Sequence, residues 1–420
     1  MMMRMEAASR LRAPLRAFRS RNYRLFFAGQ GISLVGTWLT QVAMSWLVYR
    51  LTHAPATLGL VVFLGRLPTF LLAPLAGVVA DHADRRRILL WTQALAMVES
   101  LLLAWLALSG RIAVWHIMAL SVCQGLVDGF DIPTRQAFVI EIVDSKDTLA
   151  NAIALNSFMF NAARFLGPCL AGVLIAAVGE GGCFLLDGIS YLAVLASLAA
   201  LRMGPRSPRA SRPRLLAQLA QGVAYAWRNR PIAWLLALLA WMSLTGMSYA
   251  VLMPVVAKEV LHGNPQTYGL LMAASGLGAL GGAGFLAMRH SGEGFGRLIA
   301  MAAALSGASL LLMAGSRSLW WSSALLASAG FWFMVHAAAT NTVLQTLVED
   351  DKRGSVMSLF VTAFMGAMPV GSLLAGHLAE AIGAPATIAA AGACCLLGGV
   401  VMARSMPRLQ LPTAAPLRSA

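Results

Sequence analysis

Outside its apolar runs the 420-residue chain has no stretch long enough to build a water-soluble core. Residues that carry chemistry are scarce as well. The five cysteines (Cys123, Cys169, Cys183, Cys394 and Cys395) and the seven histidines are scattered without metal-ligand spacing, so neither a metal module nor a disulfide framework is expected. No Walker loop, dinucleotide fingerprint or nucleophile–base pairing is recognisable, which excludes ATP-driven, redox and hydrolytic enzymes; no cofactor is expected. Negative charge is also short: 17 Asp and Glu stand against 32 Lys and Arg, a net charge of +15.

What the chain has in abundance is apolar runs of one length. A helix rises about 1.5 Å per residue, so roughly 20 apolar residues cross the hydrocarbon. Twelve stretches meet that length: 24–50, 58–80, 88–109, 112–131, 150–178, 182–202, 232–257, 267–288, 297–315, 318–340, 355–379 and 383–403. If the N-terminus is inside, 26 of the 32 basic residues fall in the tails and the loops after even-numbered spans. Arg50, Arg111, Lys258 and Arg317 fall on the opposite side, and Arg66 and Arg164 lie within spans. This asymmetry places both termini in the cytoplasm. The positive charge is then orientation and contact with membrane lipid, not a nucleic-acid footprint. Residues 1–23 are basic and polar and precede an apolar run too long for a signal peptide, so no cleavable leader is expected.

The longest gap, 203–231, divides six spans from six. Its first half is rich in Pro, Arg and Ser and should stay irregular; 215–227 spaces apolar residues as in an interfacial amphipathic helix. The halves echo each other. Gly167-Pro168-Cys169-Leu170-Ala171-Gly172 in the fifth span matches Gly371-Ser372-Leu373-Leu374-Ala375-Gly376 in the eleventh. The expectation is an all-α integral membrane protein, twelve transmembrane helices in two pseudo-symmetric six-helix bundles. The parts are an N-tail (1–23), a first bundle (24–202), a linker (203–231), a second bundle (232–403) and a C-tail (404–420).

Ionisable groups near the bilayer centre cost at least about 2.5 kcal/mol, so each is a functional candidate. Arg164 lies halfway along the fifth span on one helical stripe with Ser157, Asn161 and Pro168, a stripe suited to a cavity that meets substrate; a fixed ion pair is the structural alternative. Glu99 sits near the middle of the third span, where a carboxyl can take up and release a proton. Asp128 and Asp131, three apart on the fourth span, share one face; they either share a proton or join Arg135 or the Arg85–Arg87 cluster in a gate, which is favoured for Asp131. Arg66 has Glu99 and Asp187 as candidate partners, and Asp187 lies near the outer headgroups. His336 and His377 read as packing residues, which leaves proton handling to the first half. Trp38 and Trp241, among other aromatics and methionines, suit an adaptable apolar cavity, although belts and packing claim most such residues. Gly278 and Gly282 allow a tight helix crossing.

The second span ends Gly77-Val78-Val79-Ala80-Asp81-His82-Ala83-Asp84-Arg85-Arg86-Arg87. This resembles the loop signature of the major facilitator superfamily, with His82 in place of a basic residue and Asp84 in place of a second Gly. The resemblance implies a cytoplasmic gate built from Gly77, Asp81, Arg85, Arg86 and Arg87. A narrower likeness rests on Arg21-Asn22-Tyr23-Arg24-Leu25-Phe26, on Asp131-Ile132-Pro133-Thr134-Arg135-Gln136-Ala137-Phe138, on Asn151-Ala152, and on Arg164-Phe165-Leu166-Gly167-Pro168. These runs resemble the drug:proton antiporter branch that includes enterobactin exporters and macrolide efflux proteins. Gly167, Pro168 and Gly172 are similar to its exporter-type fifth-span motif. Ser121 stands where many proton-driven relatives carry a fourth-span arginine. The resemblance implies export of an amphipathic small molecule, a drug or siderophore-like metabolite, in exchange for protons, by a monomer in the bacterial inner membrane. Metabolite uptake or facilitated diffusion is the alternative within transport, and a non-transporting receptor or scaffold the alternative outside it.

Overall fold

A computed structural model of the chain describes residues 13–143, 146–202, 215–289, 294–349 and 352–409. The start of the N-tail, the irregular half of the linker and the end of the C-tail lie outside the described residues. After a 3-10 turn at Ala13–Arg19 come α1 (Arg21–Thr52), α2 (Pro55–His82), α3 (Arg85–Leu108), α4 (Val114–Glu141) and α5 (Lys146–Ala200). The linker helix α6 (Leu215–Arg228) leads to α7 (Arg230–Gly246) and to α8 (Tyr249–Val255), which ends in a π turn at Val256–Val260. The remainder is α9 (Pro265–Met288), α10 (Phe295–Ala314), α11 (Leu319–Leu347), α12 (Arg353–Ile382) and α13 (Ala384–Leu409). The protein is an all-α membrane protein, with no strand among the described residues.

Ten described helical segments are long and apolar enough to cross a bilayer. One of them counts twice, because Gly179 (φ 71°, ψ 176°) breaks the 55-residue α5 into two arms. Only glycine adopts that backbone readily, and the arms match the expected spans 150–178 and 182–202. The 28-residue α4, which carries Asp128, Asp131, Arg135 and Glu141, completes a twelve-span reading. It runs ten residues past the apolar stretch 112–131, so Asp128 and Asp131 lie in mid-helix and not near its end. The helix continues because its later charges are paired: Asp131 with Arg135 one turn on, and Glu141 with Arg85. The seventh span is interrupted at Met247 and Ser248, where Ser248 Oγ turns back to the Leu244 carbonyl.

Polarity is inverted along α3. Trp91, Leu95, Val98, Leu102 and Trp105 stand exposed at alternating four- and three-residue steps, while Thr92, Gln93, Glu99 and Ser100 are buried. A helix greasy outside and polar inside is stable only against hydrocarbon.

By contact density the chain forms two compact units, Met1–Met44 with Pro68–Arg212, and Ser45–Leu67 with Pro213–Ala420. In the first, Gly167 brings α5 against Trp38 and Leu39 of α1 so closely that a Cβ would collide with Trp38. In the second, Gly371 does the same for α12 against Leu244 and Ser248 of α7. The two echo motifs thus make equivalent crossings, fifth helix on first and eleventh on seventh. The second unit also packs Gly278 and Gly282 of α9 on the Ala327 and Phe331 carbonyls of α11. Within that unit the 45–67 segment is fixed by the Tyr49 hydroxyl donating to Glu259, by Trp46 stacked on Tyr268 at 6.2 Å, and by Gly59 beside Gly376.

Candidate functional site

The functional candidates concentrate in the first unit, whose basic end is tied together by side chains that cap α5. The last carbonyls of a helix lack intrahelical donors. Here they are met by side chains: Arg86 Nε and Nη2 donate to Leu198 and Ala199 at 2.7 Å, Arg21 Nη1 to Ala200 at 3.3 Å, and Asn22 Nδ2 to Arg202 at 2.8 Å. Positive charge at a helix C-terminus also suits its dipole. Tyr23 donates to the Ala152 carbonyl at 2.9 Å, and Asn151 Oδ1 accepts from the Ala17 amide at 2.9 Å. Phe26 meets Phe138 edge-on with centroids 6.0 Å apart. The sequence runs 21–26, 131–138 and 151–152 are therefore parts of one packed end.

The three gate arginines divide the work. Buried Arg85 places Nη1 2.7 Å from Glu141 Oε1. Arg86 caps α5 as above. Arg87, 83% exposed, lies 3.5 Å from Asp84. Asp84, where the superfamily signature has Gly, accepts from the amides of Arg86 and Arg87 at 3.0 and 3.3 Å and so starts α3 as its N-cap. Gly77 and Asp81 lie in the last turns of α2, and their side-chain surroundings fall outside what is described.

Asp131 is fixed in place. It accepts from Thr92 Oγ1 at 2.9 Å and Gln93 Nε2 at 2.7 Å, and pairs with Arg135 Nε at 3.4 Å. This ties α3 to α4 and fits a structural or gating part better than a mobile proton. Asp128 accepts from Gln124 Nε2 at 2.9 Å, a different donor from those that meet Asp131.

Deeper in the unit, Glu99 on α3 is buried within electrostatic reach of Asp187, on the second arm of α5, and of Asp128. Asp187 is 2% exposed, so it does not lie among outer headgroups. Ser100 Oγ stands 2.9 Å from Asp187 Oδ2 and from the Phe184 carbonyl. The Thr40 and Ser190 hydroxyls point at the same carboxyl. Tyr191, beside Thr37, faces all three acids. Gly36 of α1 approaches so closely that a Cβ would come within 2.5 Å of Asp187 Oδ1 and of Ser190 Oγ. Among the described residues neither Glu99 nor Asp187 has an ion pair. The sequence signal for this constellation was Asp187 and Tyr191, one turn apart with Ser190 between them in a mostly apolar arm.

On the first arm of α5, the Arg164 guanidinium lies 5.9 Å above the Trp38 ring, which meets Phe160 edge-on at 5.8 Å. Asn161 Nδ2 donates to the Ser157 carbonyl at 2.8 Å, while its buried Oδ1 has no hydrogen-bond partner. Pro168 and Gly172 are buried further along the same arm. Arg66 is half-buried on α2. Trp241, in the second unit, donates Nε1 to the Cys394 carbonyl at 2.9 Å while its ring is exposed. His336 is buried with Nδ1 3.3 Å from the Ile299 carbonyl and Nε2 without a hydrogen-bond partner, whereas His377 is exposed with Nδ1 2.9 Å from the Leu373 carbonyl. No cluster of His, Cys, Asp or Glu suited to a metal occurs among the described residues.

Comparison with known proteins covers nearly the whole chain. The family model described as transmembrane secretion effector matches residues 12–416. The chain is 28% identical over 373 residues to the staphyloferrin A transporter of Staphylococcus aureus, covering 87% of this chain and 92% of that protein. It is 27% identical over 384 residues to the multidrug efflux pump Tap of Mycolicibacterium fortuitum, with 89% and 93% covered. Macrolide efflux protein A of Streptococcus pyogenes is 21% identical over 380 residues, with 86% and 91% covered. Among solved structures, a POT family transporter in complex with 5-aminolevulinic acid superposes with TM-score 0.74 at 12% identity, covering 93% and 97%. A bacterial homologue of the human lysosomal transporter Spinster, inward-facing and occupied, gives 0.71 at 13% identity, covering 96% and 99%. The structural likenesses show the fold alone.

Proposed function

The chain belongs to the transmembrane secretion effector family, a branch of the major facilitator superfamily, and from that premise we propose that it exports an amphipathic organic compound in exchange for protons. The family is one of multi-pass membrane transporters and not an enzyme class. The substrate class is a drug or a siderophore-like metabolite. The supporting observation is that relatives named for siderophore transport, multidrug efflux and macrolide efflux each align over more than four-fifths of this chain. The protein resides in the bacterial inner membrane with both termini in the cytoplasm, and works as a monomer by alternating access of its two six-span halves, 24–202 and 232–403.

In this reading Arg164, held over Trp38, meets an anionic or polar group of the substrate, and Asn161 and Ser157 extend the polar lining of the first unit. Arg66 and Trp241, in the second unit, are further candidates for substrate contact. The unpartnered Asn161 Oδ1 supports that role, because a buried amide oxygen is costly unless something donates to it. Glu99 carries the coupling proton, with Asp128 beside it, whereas Asp131 serves the gate with Arg135. Gly77, Asp81 and Arg85–Arg87 form the cytoplasmic gate. Gly167, Pro168 and Gly172 set the crossing of the fifth span on the first.

The test uses purified protein in proteoliposomes that enclose a pH dye, challenged with macrolides, hydrophobic cations and siderophores. Export coupled to protons gives substrate-triggered proton flux that Glu99→Gln abolishes while substrate exchange persists. Substrate movement without proton flux refutes antiport in favour of a facilitator or another coupling ion.

A further inference from the structure

Apolar surface is left uncovered on the second unit where the linker helix meets the bundle. α6 lies across the start of α12 so closely that a Cβ on Gly222 would come within 2.7 Å of the Ser355 carbonyl oxygen. α7 and α12 run side by side and close on each other at Leu244 and Gly371. Between the three helices a groove of about 310 Å³ stays open, at the small end of ligand pockets (roughly 300–1,000 Å³). Its walls include Val223 and Trp227 of α6, Ala233 and Ala237 of α7, and Leu359 and Thr362 of α12. The Thr362 hydroxyl donates to the Ser358 carbonyl of its own helix at 3.0 Å, so it offers the groove little polarity. Water there finds few partners, whereas hydrocarbon needs none. The mouth of the groove is basic. Arg230, Ala233 and Ala237 fall at i, i+3 and i+7, so Arg230 heads the stripe of α7 that lines the groove. Arg228 follows Trp227 at the end of α6, and all three of Trp227, Arg228 and Arg230 are exposed. Asn229 gives its Nδ2 to the Tyr225 carbonyl at 2.8 Å and makes no side-chain cap, so the positive end of the α7 dipole adds to the charge of the arginines. At the start of α12 the sequence sets Glu349, Asp350 and Asp351 against Lys352 and Arg353, which makes the junction of α6 and α7 the cationic side.

We propose that this groove binds one anionic phospholipid, with an acyl chain lying between α7 and α12 and the phosphate held by Arg228 and Arg230. The groove walls lie within about 15 Å of the first residues of α7 and α12, at 1.5 Å per residue. A chain entering at the basic mouth therefore runs along the two helices, as membrane lipid does. The exposed Trp227 indole stands at the mouth, where an amphipathic ring suits the headgroup level. Lipids of any headgroup fill apolar space equally well; the two arginines select one with net negative charge. Bound there, the lipid touches all three helices and ties the linker helix to the second unit. The site depends on the membrane fold and not on the compound transported.

Native mass spectrometry of the full-length protein in detergent tests this, with phosphatidylglycerol and phosphatidylcholine of identical chains as probes. The expected result is one phosphatidylglycerol bound at concentrations where phosphatidylcholine is not. Arg228→Gln combined with Arg230→Gln should weaken that binding roughly 30-fold, about fivefold for each basic residue. Ala237→Phe keeps both arginines but fills the hollow, and should weaken it roughly 15-fold if two CH₂ groups are displaced. Equal binding of the two lipids overturns the proposal, and so does undiminished binding to the double glutamine variant. Binding indifferent to Ala237→Phe overturns the acyl-chain site. Displacement of phosphatidylglycerol by inorganic phosphate at equal concentration also overturns it, because a free anion would then satisfy the arginines without the groove. Arg228, Arg230 and Ala237 are exposed, so melting without added lipid should match the wild type in every variant. Arg228→Lys combined with Arg230→Lys keeps the charge and should retain phosphatidylglycerol; loss of binding there overturns selection by charge.

Discussion

Replacing Arg85 by alanine tests whether the basic end of the first unit is built as described. Arg85 is 3% exposed, its Nη1 lies 2.7 Å from Glu141 Oε1 and 3.4 Å from the Ala137 carbonyl, and Glu141 is itself only 17% exposed. Removing one member of a buried ion pair costs about 3–5 kcal/mol, because the other charge stays behind in poor solvent. Partial access of water to Glu141 moves the expectation to the low end, about 3 kcal/mol. Arg87→Ala is the internal control. That side chain is 83% exposed and 3.5 Å from Asp84, so screening leaves about 0.3 kcal/mol. Glu141→Ala completes a double-mutant cycle in which the Arg85/Glu141 pair should show a coupling of about 2 kcal/mol. Reversible unfolding in mixed micelles, followed by tryptophan fluorescence, measures the wild type, the three single variants and the double variant. Equal effects of Arg85→Ala and Arg87→Ala, or a coupling indistinguishable from zero, would refute the assignment of distinct roles within this run of arginines.

Other consequences follow from the packing. Gly167→Val should destabilise by about 1–3 kcal/mol or block assembly, because its Cβ would strike Trp38, whereas Gly284→Ala, with nothing within 4 Å, should stabilise by up to about 1 kcal/mol. Thermal melting in detergent compares the two, and equal shifts would contradict the described crossing of α5 on α1. Asp131→Ala strips a shared acceptor from Thr92, Gln93 and Arg135 and should cost about 3 kcal/mol, with Asn recovering part of it. If Asp131→Ala retains full stability but loses proton coupling, Asp131 belongs to proton handling and not to the gate. Trp227, 84% exposed on the linker helix α6, should show fluorescence quenched by lipid-borne quenchers near the headgroups; quenching only by aqueous iodide would remove α6 from the interface.

Much of the fold was legible because transmembrane segments are local. Length and hydropathy located the spans within a few residues, and the backbone break at Gly179 falls between the expected fifth and sixth spans. The exception, α4, is instructive. Its last ten residues are too polar to read as membrane helix, and only the pairing of Glu141 with Arg85 from another helix shows why they stay helical. Motif runs 21–26, 131–138 and 151–152 were visible as strings of residues, but their common purpose was not.

The sequence by itself determined that the chain is a bundle of apolar helices and that Glu99, Asp128, Asp131 and Arg164 lie within membrane-length segments. Those features depend on composition and on a period of 3.6 residues, which any single helix expresses alone. Tertiary structure decided which groups meet. It gave Asp128 and Asp131 different hydrogen-bond donors, gave Arg85, Arg86 and Arg87 three different partners, and buried Asp187 against Ser100 of α3. The reason is geometric. Contact between helices depends on crossing points, and these are set by where glycines such as Gly36 and Gly167 let two backbones close, a property of pairs of helices that no single segment encodes.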